Sequence, residues 1–300
     1  MSFSANVKNE LCRPEVERGC CALAESMGVL LYANTFAGDC IRVVTESREF
    51  AKRLPRLFRK ALGVSFDLLP EGDTTGKLTF TVTDREKIHK IFALCGFSAQ
   101  SSVSLHVNLA LLEQECCRRA FLRGAFLAGG SVTDPEKRYH LELSTTHLSV
   151  SREMETLLRE MEFPPKETER KGSSVLYYKQ SESIEDFLTA IGAPVSAMAV
   201  MSAKIEKDWR NDANRKTNCD AANVDKAVAA AQGQLTALKA LEEQGILDTL
   251  PEKLKQTAIL RKENPSATLT ELAELHEPPL SKSAINHRLR KLMALAAEIS

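Results

Sequence analysis

The stretch "FLRGAFLAGGSV", Phe121–Val132, decides the fold. Gly124 and Ala128 sit four positions apart on an otherwise apolar helix that leaves through Gly-Gly-Ser. Positions three or four apart share one helix face, so the small residues open that face to close approach by another backbone. A partner for it lies upstream. "CCALAESMGVLLYANTF" from Cys20 and "CCRRAFLRGAFLAGGSV" from Cys116 both start on a vicinal cysteine pair. Laid on one another they align Ala24 with Ala120, Gly28 with Gly124, Leu31 with Leu127 and Thr35 with Ser131. The offset is 96 residues, which reads as duplication of a domain of that size. Two such helices, free of bulk at Gly28 and Ala33 or Gly124 and Ala128, can pack backbone to backbone about a pseudo-twofold axis.

The segments downstream of the two helices match as well. After the first come the alternating "CIRVVTES", the helical "REFAKRLPRLFRKALG", two strands ("VSFDLLP" and "KLTFTVT") around "EGDTTGK", and the helix "DREKIHKIFALCGF". After the second come "YHLELSTT", the helix "SREMETLLREMEF", a hairpin around "RKGSS" leading into "VLYYKQ", and the helix "SIEDFLTAIGA". Alternation of period 2 with period 3.6 predicts α-β-β-α-β-β-α in each half.

Those residues resemble the LAGLIDADG homing endonucleases, whose motif reads small-x-Gly-x-apolar-x-Ala-Asp-Gly-Ser. The resemblance implies a helix pair whose terminal acids hold divalent metal over DNA. The matching positions here are Ala33 and Gly129, and neither side chain can bind a metal. Metal-assisted cleavage of a phosphodiester needs hard oxygen ligands. Asp39 and Asp134 lie six and five residues beyond, past the helix ends, and are not expected to reach the same point. The scaffold is expected without the chemistry: no catalytic residues, no metal and no cofactor.

Bulk composition agrees with an ordinary globular chain of two or three domains. It is 43% apolar and 27% charged over 300 residues, with 40 basic and 40 acidic side chains that cancel. No apolar run reaches the ~20 residues of a membrane span, and "MSFSANVKNELCR" lacks the apolar core of a signal peptide. A cytoplasmic, nucleoid-associated protein is expected, with no membrane partner. None of the eight cysteines forms a Cys-x-x-Cys pair or has a His at zinc-finger spacing. They read as small buried residues on helices, with redox sensing by Cys20-Cys21 and Cys116-Cys117 as the alternative.

Beyond Leu250 the pattern changes. A helix begins behind Pro251 and stops at "ENP". Thr268 then caps a short helix, with Glu271 three residues on completing a capping box, and "EPP" ends it. Ser281 opens a third helix on which Ile285, Leu289, Leu292 and Ala296 share one face. The opposite face carries Ser283, His287, Arg290 and Lys291, with Lys282 and Asn286 at its edge. Residues 281–291 hold four Lys or Arg and no acid. Three short helices with a tight turn before the third read as a helix-turn-helix. Lys282, Ser283, Asn286 and His287 are the candidates for base or near-base contacts, and Arg288, Arg290 and Lys291 for the phosphate backbone; Thr268 and Ser281, as helix caps, complete the candidate DNA-binding set.

Between the duplicated part and this module, Val224, Val228, Ala231, Leu235 and Leu238 mark a long amphipathic helix ending near Gly245. Arg210, Asn211, Asn214, Arg215, Asn218 and Asn223 recur upstream at helical spacing, with Lys226. They are candidates for additional DNA contacts, or equally for a polar cap against the second repeat.

Across its whole length the chain resembles the WhiA family of bacterial regulators, on "MSFSANVKNEL", "FLRGAFLAGGSV", "DWRNDANRKTNCDAAN" and "PPLSKSAINHRLRKL". In that family another small or polar residue often stands where "YANTF" does. The implied fold is α+β: two tandem LAGLIDADG-like αββαββα repeats (1–98 and 99–203) forming a pseudo-twofold domain, a helical linker (204–247) and an all-α helix-turn-helix domain (248–300). The implied function is non-enzymatic, sequence-specific binding of double-stranded DNA in transcription regulation, tied to cell division, chromosome segregation and sporulation. Two other readings stand beside it: a degenerate metal-dependent DNA endonuclease, and a protein-interaction scaffold. The scaffold would dock on the transcription machinery, a sigma factor or RNA polymerase, while the small module tethers it to DNA. The strand faces mix Arg42, Lys77, Arg170, Lys171 and Lys179 with Asp67, Glu142, Glu167 and Glu169, too acidic for a basic saddle. DNA affinity is therefore expected mainly in residues 250–300.

Overall fold

A computed structural model describes residues 2–16, 18–70, 76–97 and 104–299. They divide into two compact units, Met1–Lys207 and Asp208–Ser300. Most of the "EGDTTGK" connection falls outside the described residues.

The first unit opens with α1 (Phe3–Leu11), capped by the Ser2 hydroxyl. The first repeat comes next as α2 (Gly19–Leu31), β1 (Thr35–Phe36), β2 (Ile41–Thr45), α3 (Arg48–Leu62), β3 (Leu78–Val82) and α4 (Arg85–Cys95). The second is α5 (Glu115–Gly129), β4 (Gly130–Val132), β5 (Leu141–Thr145), α6 (Leu148–Glu160), β6 (Lys166–Arg170), β7 (Ser173–Tyr178) and α7 (Ser181–Ile191). Each repeat builds an antiparallel sheet, in the orders β1-β2-β3 and β4-β5-β7-β6. The hairpin around "RKGSS" turns at Lys171 and Gly172, both with positive φ, as a two-residue turn between twisted strands requires.

The two sheets differ at one edge. "VSFDLLP", expected as a strand, contributes only a bridge between Leu68 and Thr81. The Asp67 carboxylate takes the Thr83 and Asp84 amides at 2.7 and 2.8 Å, and Phe66 turns inward against Phe58 and Phe80. Side-chain bonds to nearby backbone thus replace the ladder. Its counterpart β6 does form, as an exposed, charge-rich edge strand of the kind that discourages pairing with other chains.

α2 and α5 pack against each other through their glycines. A Cβ on Gly28 would lie 2.2 Å from Phe121 O and 2.8 Å from Ala125 N; one on Gly124 would lie 2.0 Å from Glu25 O and 3.1 Å from Val29 N. Glu25 and Phe121 are repeat equivalents, as are Val29 and Ala125, so the contact exchanges under a twofold. Equivalent residues meeting in this way mean that the helices cross in the same direction, with both N-termini at one end of the pair. Around them lies one core that includes Met27, Leu30, Phe50, Phe58, Phe92, Phe121, Phe126 and Phe187.

Two buried carboxylates tie this unit together. Glu25 is fully buried and grips Arg53 at 2.6 and 3.0 Å, with Arg123 at 3.5 Å, and Arg53 also donates to Cys12 O and Pro14 O. Glu10 on α1 accepts from the amides of Val195 and Ser196, at 2.8 and 2.9 Å, and from the Ser196 hydroxyl. Those amides open α8 (Pro194–Glu243), whose free N–H groups and positive dipole end favour a carboxylate there. Neither α1 nor this cap was marked by periodicity.

α8 begins in the first unit and ends in the second. The stripe expected to make it amphipathic is realised only towards its C-terminal end: Val224 and Val228 are exposed, Ala231 and Leu235 half-buried and Leu238 buried. The second unit continues with α9 (Glu252–Glu263), α10 (Leu269–Glu274) and α11 (Lys282–Ala297). Ile285, Leu289, Leu292 and Ala296 of α11 join Leu238, Leu241, Leu254, Ala258, Leu272 and Ala273 in one core.

Candidate nucleic-acid interface

α10, the turn after it and α11 build the helix-turn-helix. Thr268 accepts from the Glu271 amide while Glu271 reaches back to the Thr268 amide, closing the capping box. Pro278 and Pro279 end the continuation of α10, and Leu280 N returns to Ala273 O at 2.9 Å. The Ser281 hydroxyl accepts from Ala284 N and starts α11. Inside the turn His276 is buried, its Nε2 3.2 Å from Thr257 Oγ1. Burial, and then the Arg288 charge, lowers its pKa, which favours the neutral ring.

With the apolar face of α11 occupied, its other face is free. Lys282, Ser283, His287, Arg290 and Lys291 are exposed, and Asn286 is half-buried beside them. Arg288 is placed differently: half-buried, it donates to Lys253 O at 3.2 Å and to Thr257 Oγ1 at 3.3 Å, holding α11 on α9. Thr268 and Ser281 are exposed, with hydroxyl lone pairs engaged in capping. On α8, Arg210, Asn211, Asn214, Arg215, Asn218 and Lys226 are all exposed. At 100° per residue they span about 160° of one side. Asp208 and Asp212 share a concave surface with Asn211, Asn214, Arg215 and Asn218, so that patch is mixed in charge.

At the C-terminal end of the α2–α5 pair one motif position is filled and the other is half-buried. A Cβ on Gly129 would lie 2.6 Å from Ser144 O and 2.7 Å from Tyr32 Cδ1. Tyr32, 5% exposed, occupies the space a carboxylate would need. Ala33 packs on the core. Asp134 Oδ1 accepts from the Glu136 amide in its own turn, and Asp39 is exposed. Acids on and beside the sheets are partly paired: Glu142 with Arg170, within hydrogen-bond distance of His140, and Asp67 with Lys87 of α4.

Sequence reasoning missed a feature at the opposite end of the pair. Cys20, Cys21, Cys116 and Cys117 come together with all four sulfurs within 4.8 Å of one another. The expectation of buried, inert cysteines holds only for Cys117 of the four; Cys20 is exposed, and Cys21 and Cys116 are half-buried. Burial pushes the Cys21 and Cys117 thiols up, to about 11 and about 12. Hydrogen bonds from Cys21, Cys117 and Arg18 lower Cys116. The signal was present in the aligned vicinal pairs, but it becomes a cluster only when the repeats pair about their axis.

Comparison with known proteins places both units. Residues 118–210 match the WhiA LAGLIDADG-like domain, and residues 213–296 match the WhiA C-terminal HTH domain. A probable cell division protein WhiA from Ruminiclostridium cellulolyticum is 40% identical over 307 residues, covering 100% of this chain and 98% of its own. Its counterpart from Clostridium novyi is 35% identical over 313 residues, covering 100% and 98%. The crystal structure of full-length WhiA from Thermatoga maritima superposes with a TM-score of 0.61 at 22% identity, covering 99% of each chain, and has the same fold. Related along its whole length, and carrying both of the family's domains, the chain belongs to the WhiA family.

Proposed function

We propose that this protein is a sequence-specific, non-enzymatic DNA-binding regulator of transcription that acts in cell division, with chromosome segregation and sporulation as linked roles. It works in the cytoplasm on the nucleoid. The observation that carries this reading is α11: four apolar residues are buried on one side, while Lys282, Ser283, His287, Arg290 and Lys291 stand exposed on the other. A helix presented this way by a helix-turn-helix enters the major groove of double-stranded DNA. Lys282, Ser283, Asn286 and His287 in its first turns read base edges, while Arg290 and Lys291 contact phosphates. Arg288 positions the helix. Arg210, Asn211, Asn214, Arg215, Asn218 and Lys226 add backbone contacts of lesser weight, given the acids among them.

Catalysis forms no part of this reading. The filled space at Gly129 and the methyl side chain of Ala33 leave the helix ends without oxygen ligands for a divalent ion. Paired charges on the sheets favour a second role for the repeats, as a docking platform for the transcription machinery, over a DNA saddle. The working division is 1–98 and 99–203 for the repeats, 204–247 for the linker and 248–300 for the DNA-binding module.

The test uses the full chain carrying Arg290→Ala together with Lys291→Ala, titrated on genomic fragments over a range of salt. Every phosphate that is no longer neutralised takes about 0.9 from the slope of log affinity against log salt, so the slope should fall by about two. Unchanged affinity and slope would remove α11 from the interface.

A further inference from the structure

We propose that Cys20, Cys21, Cys116 and Cys117 form a tetrathiolate site for one zinc-type divalent cation, which clamps the N-terminal ends of α2 and α5 together. Four sulfurs lie within 4.8 Å of one another, two from each repeat. A tetrahedral zinc with Zn–S bonds of about 2.3 Å sets its sulfurs about 3.8 Å apart. Shifts of well under an ångström per side chain therefore complete the shell. A cubane iron–sulfur cluster bonds each cysteine to a different iron and needs its ligands further apart. Two disulfides would require sulfur pairs to close to about 2.05 Å, and would use the four-way convergence for nothing.

The surroundings suit an anionic site. Four thiolates around a dication leave a net charge of −2. Both cysteine pairs lie in the first turn of their helices, where N–H groups and the dipole favour negative charge. Arg18, the N-cap residue of α2, donates to Cys116 Sγ at 3.8 Å. Soft thiolates select zinc-type ions over magnesium, and binding releases the thiol protons to solvent without any change of oxidation state. The site lies about 18 Å along the helix pair from Ala33 and Gly129, twelve residues at 1.5 Å each. It is therefore separate from the motif positions of the nucleases, and its role is to hold the two repeats in register.

Cobalt titration of the reduced, metal-stripped full-length protein tests the proposal. The expected result is sulfur-to-cobalt charge transfer and the strong visible bands of tetrahedral cobalt, saturating at one equivalent and abolished by zinc. Cys20 is exposed, so Cys20→Ser leaves the core intact; it should lower the charge-transfer intensity by about a quarter, one Co–S bond in four. It should also weaken zinc binding by about tenfold or more. Cys219→Ser, at an exposed cysteine outside the cluster, should change neither. Zinc should raise the melting temperature of the wild type and of Cys219→Ser, and raise that of Cys20→Ser less. An octahedral spectrum without charge transfer overturns the site. So does an undiminished spectrum in both Cys20→Ser and Cys116→Ser, or mapped disulfides among the four cysteines in protein that takes up no cobalt under reducing conditions.

Discussion

Gly124→Ala tests the crossing on which the duplicated unit is built. The added Cβ would sit 2.0 Å from Glu25 O, where ordinary contact begins near 3.4 Å, so α2 and α5 must part by more than an ångström. The obstacle is backbone, and the Glu25 side chain is locked by Arg53, so little can give. Overpacking of a tight core costs about 1–3 kcal/mol and occasionally more, and this site belongs at the upper end, about 3–4. Alanine recovers about 1 kcal/mol through helix propensity. The net loss is about 2–3 kcal/mol, or roughly 4–12 °C in the melting of a unit this size. Gly233→Ala is the control: its Cβ would meet only Met293 Cε at 3.8 Å, so it should stabilise the second unit by about 0.5–1 kcal/mol. Urea unfolding, with hydrogen exchange of the α2 and α5 amides, reads the units separately. A Gly124→Ala protein within 0.5 kcal/mol of wild type, or one as stabilised as Gly233→Ala, would refute the backbone-to-backbone crossing.

Three other sites give equally specific expectations. Asn286→Ala should relax discrimination at one base pair by about 1–3 kcal/mol, measured by binding to a library of single-base operator variants; an unchanged preference removes Asn286 from the readout. Gly129→Asp should yield neither bound manganese nor strand scission and should lower stability, because its Cβ collides with Ser144 O and Tyr32; cleavage by the pure variant would contradict the closed helix end. His276 has a folded pKa lowered by burial, so its contribution is complete above the unfolded value of about 6.5 and is lost as pH falls from there through the lower folded value. Urea midpoints of the second unit should drop as pH goes from about 7 to below 6, and His276→Gln should flatten that slope; equal slopes in the two proteins would disprove the assignment.

The helix-turn-helix was legible because its signals are local. The Thr268 box, the proline pair, the Ser281 cap and the spacing of Ile285, Leu289, Leu292 and Ala296 each act within a few residues of themselves. Gly28 and Gly124 were legible through duplication, since a matched glycine on matched helices needs a reason and close approach supplies one. Features that depend on distant partners were not. Asp67 drew the edge strand of the first repeat into a bridge through amides sixteen and seventeen residues away. Tyr32 closed the Gly129 position from the other repeat, and Arg288, basic by type, was spent on α9. Val224 and Val228 kept helical periodicity yet stay exposed, which a period alone cannot reveal. The four thiols needed the pseudo-twofold itself before they became neighbours.

The grip of Glu10 on the start of α8 has a consequence for synthesis on the ribosome. Its amide partners stand 185 and 186 residues further along the chain. At about 5–20 residues per second they emerge roughly 10–40 s after α1 does. Throughout that interval Val7 and Leu11, both fully covered in the finished unit, have no complete core to enter, and the carboxylate beside them has no donors. Translational pausing between the two ends prolongs that exposure. α1 thus waits on partners made long after it, and is among the last elements of its unit to be secured.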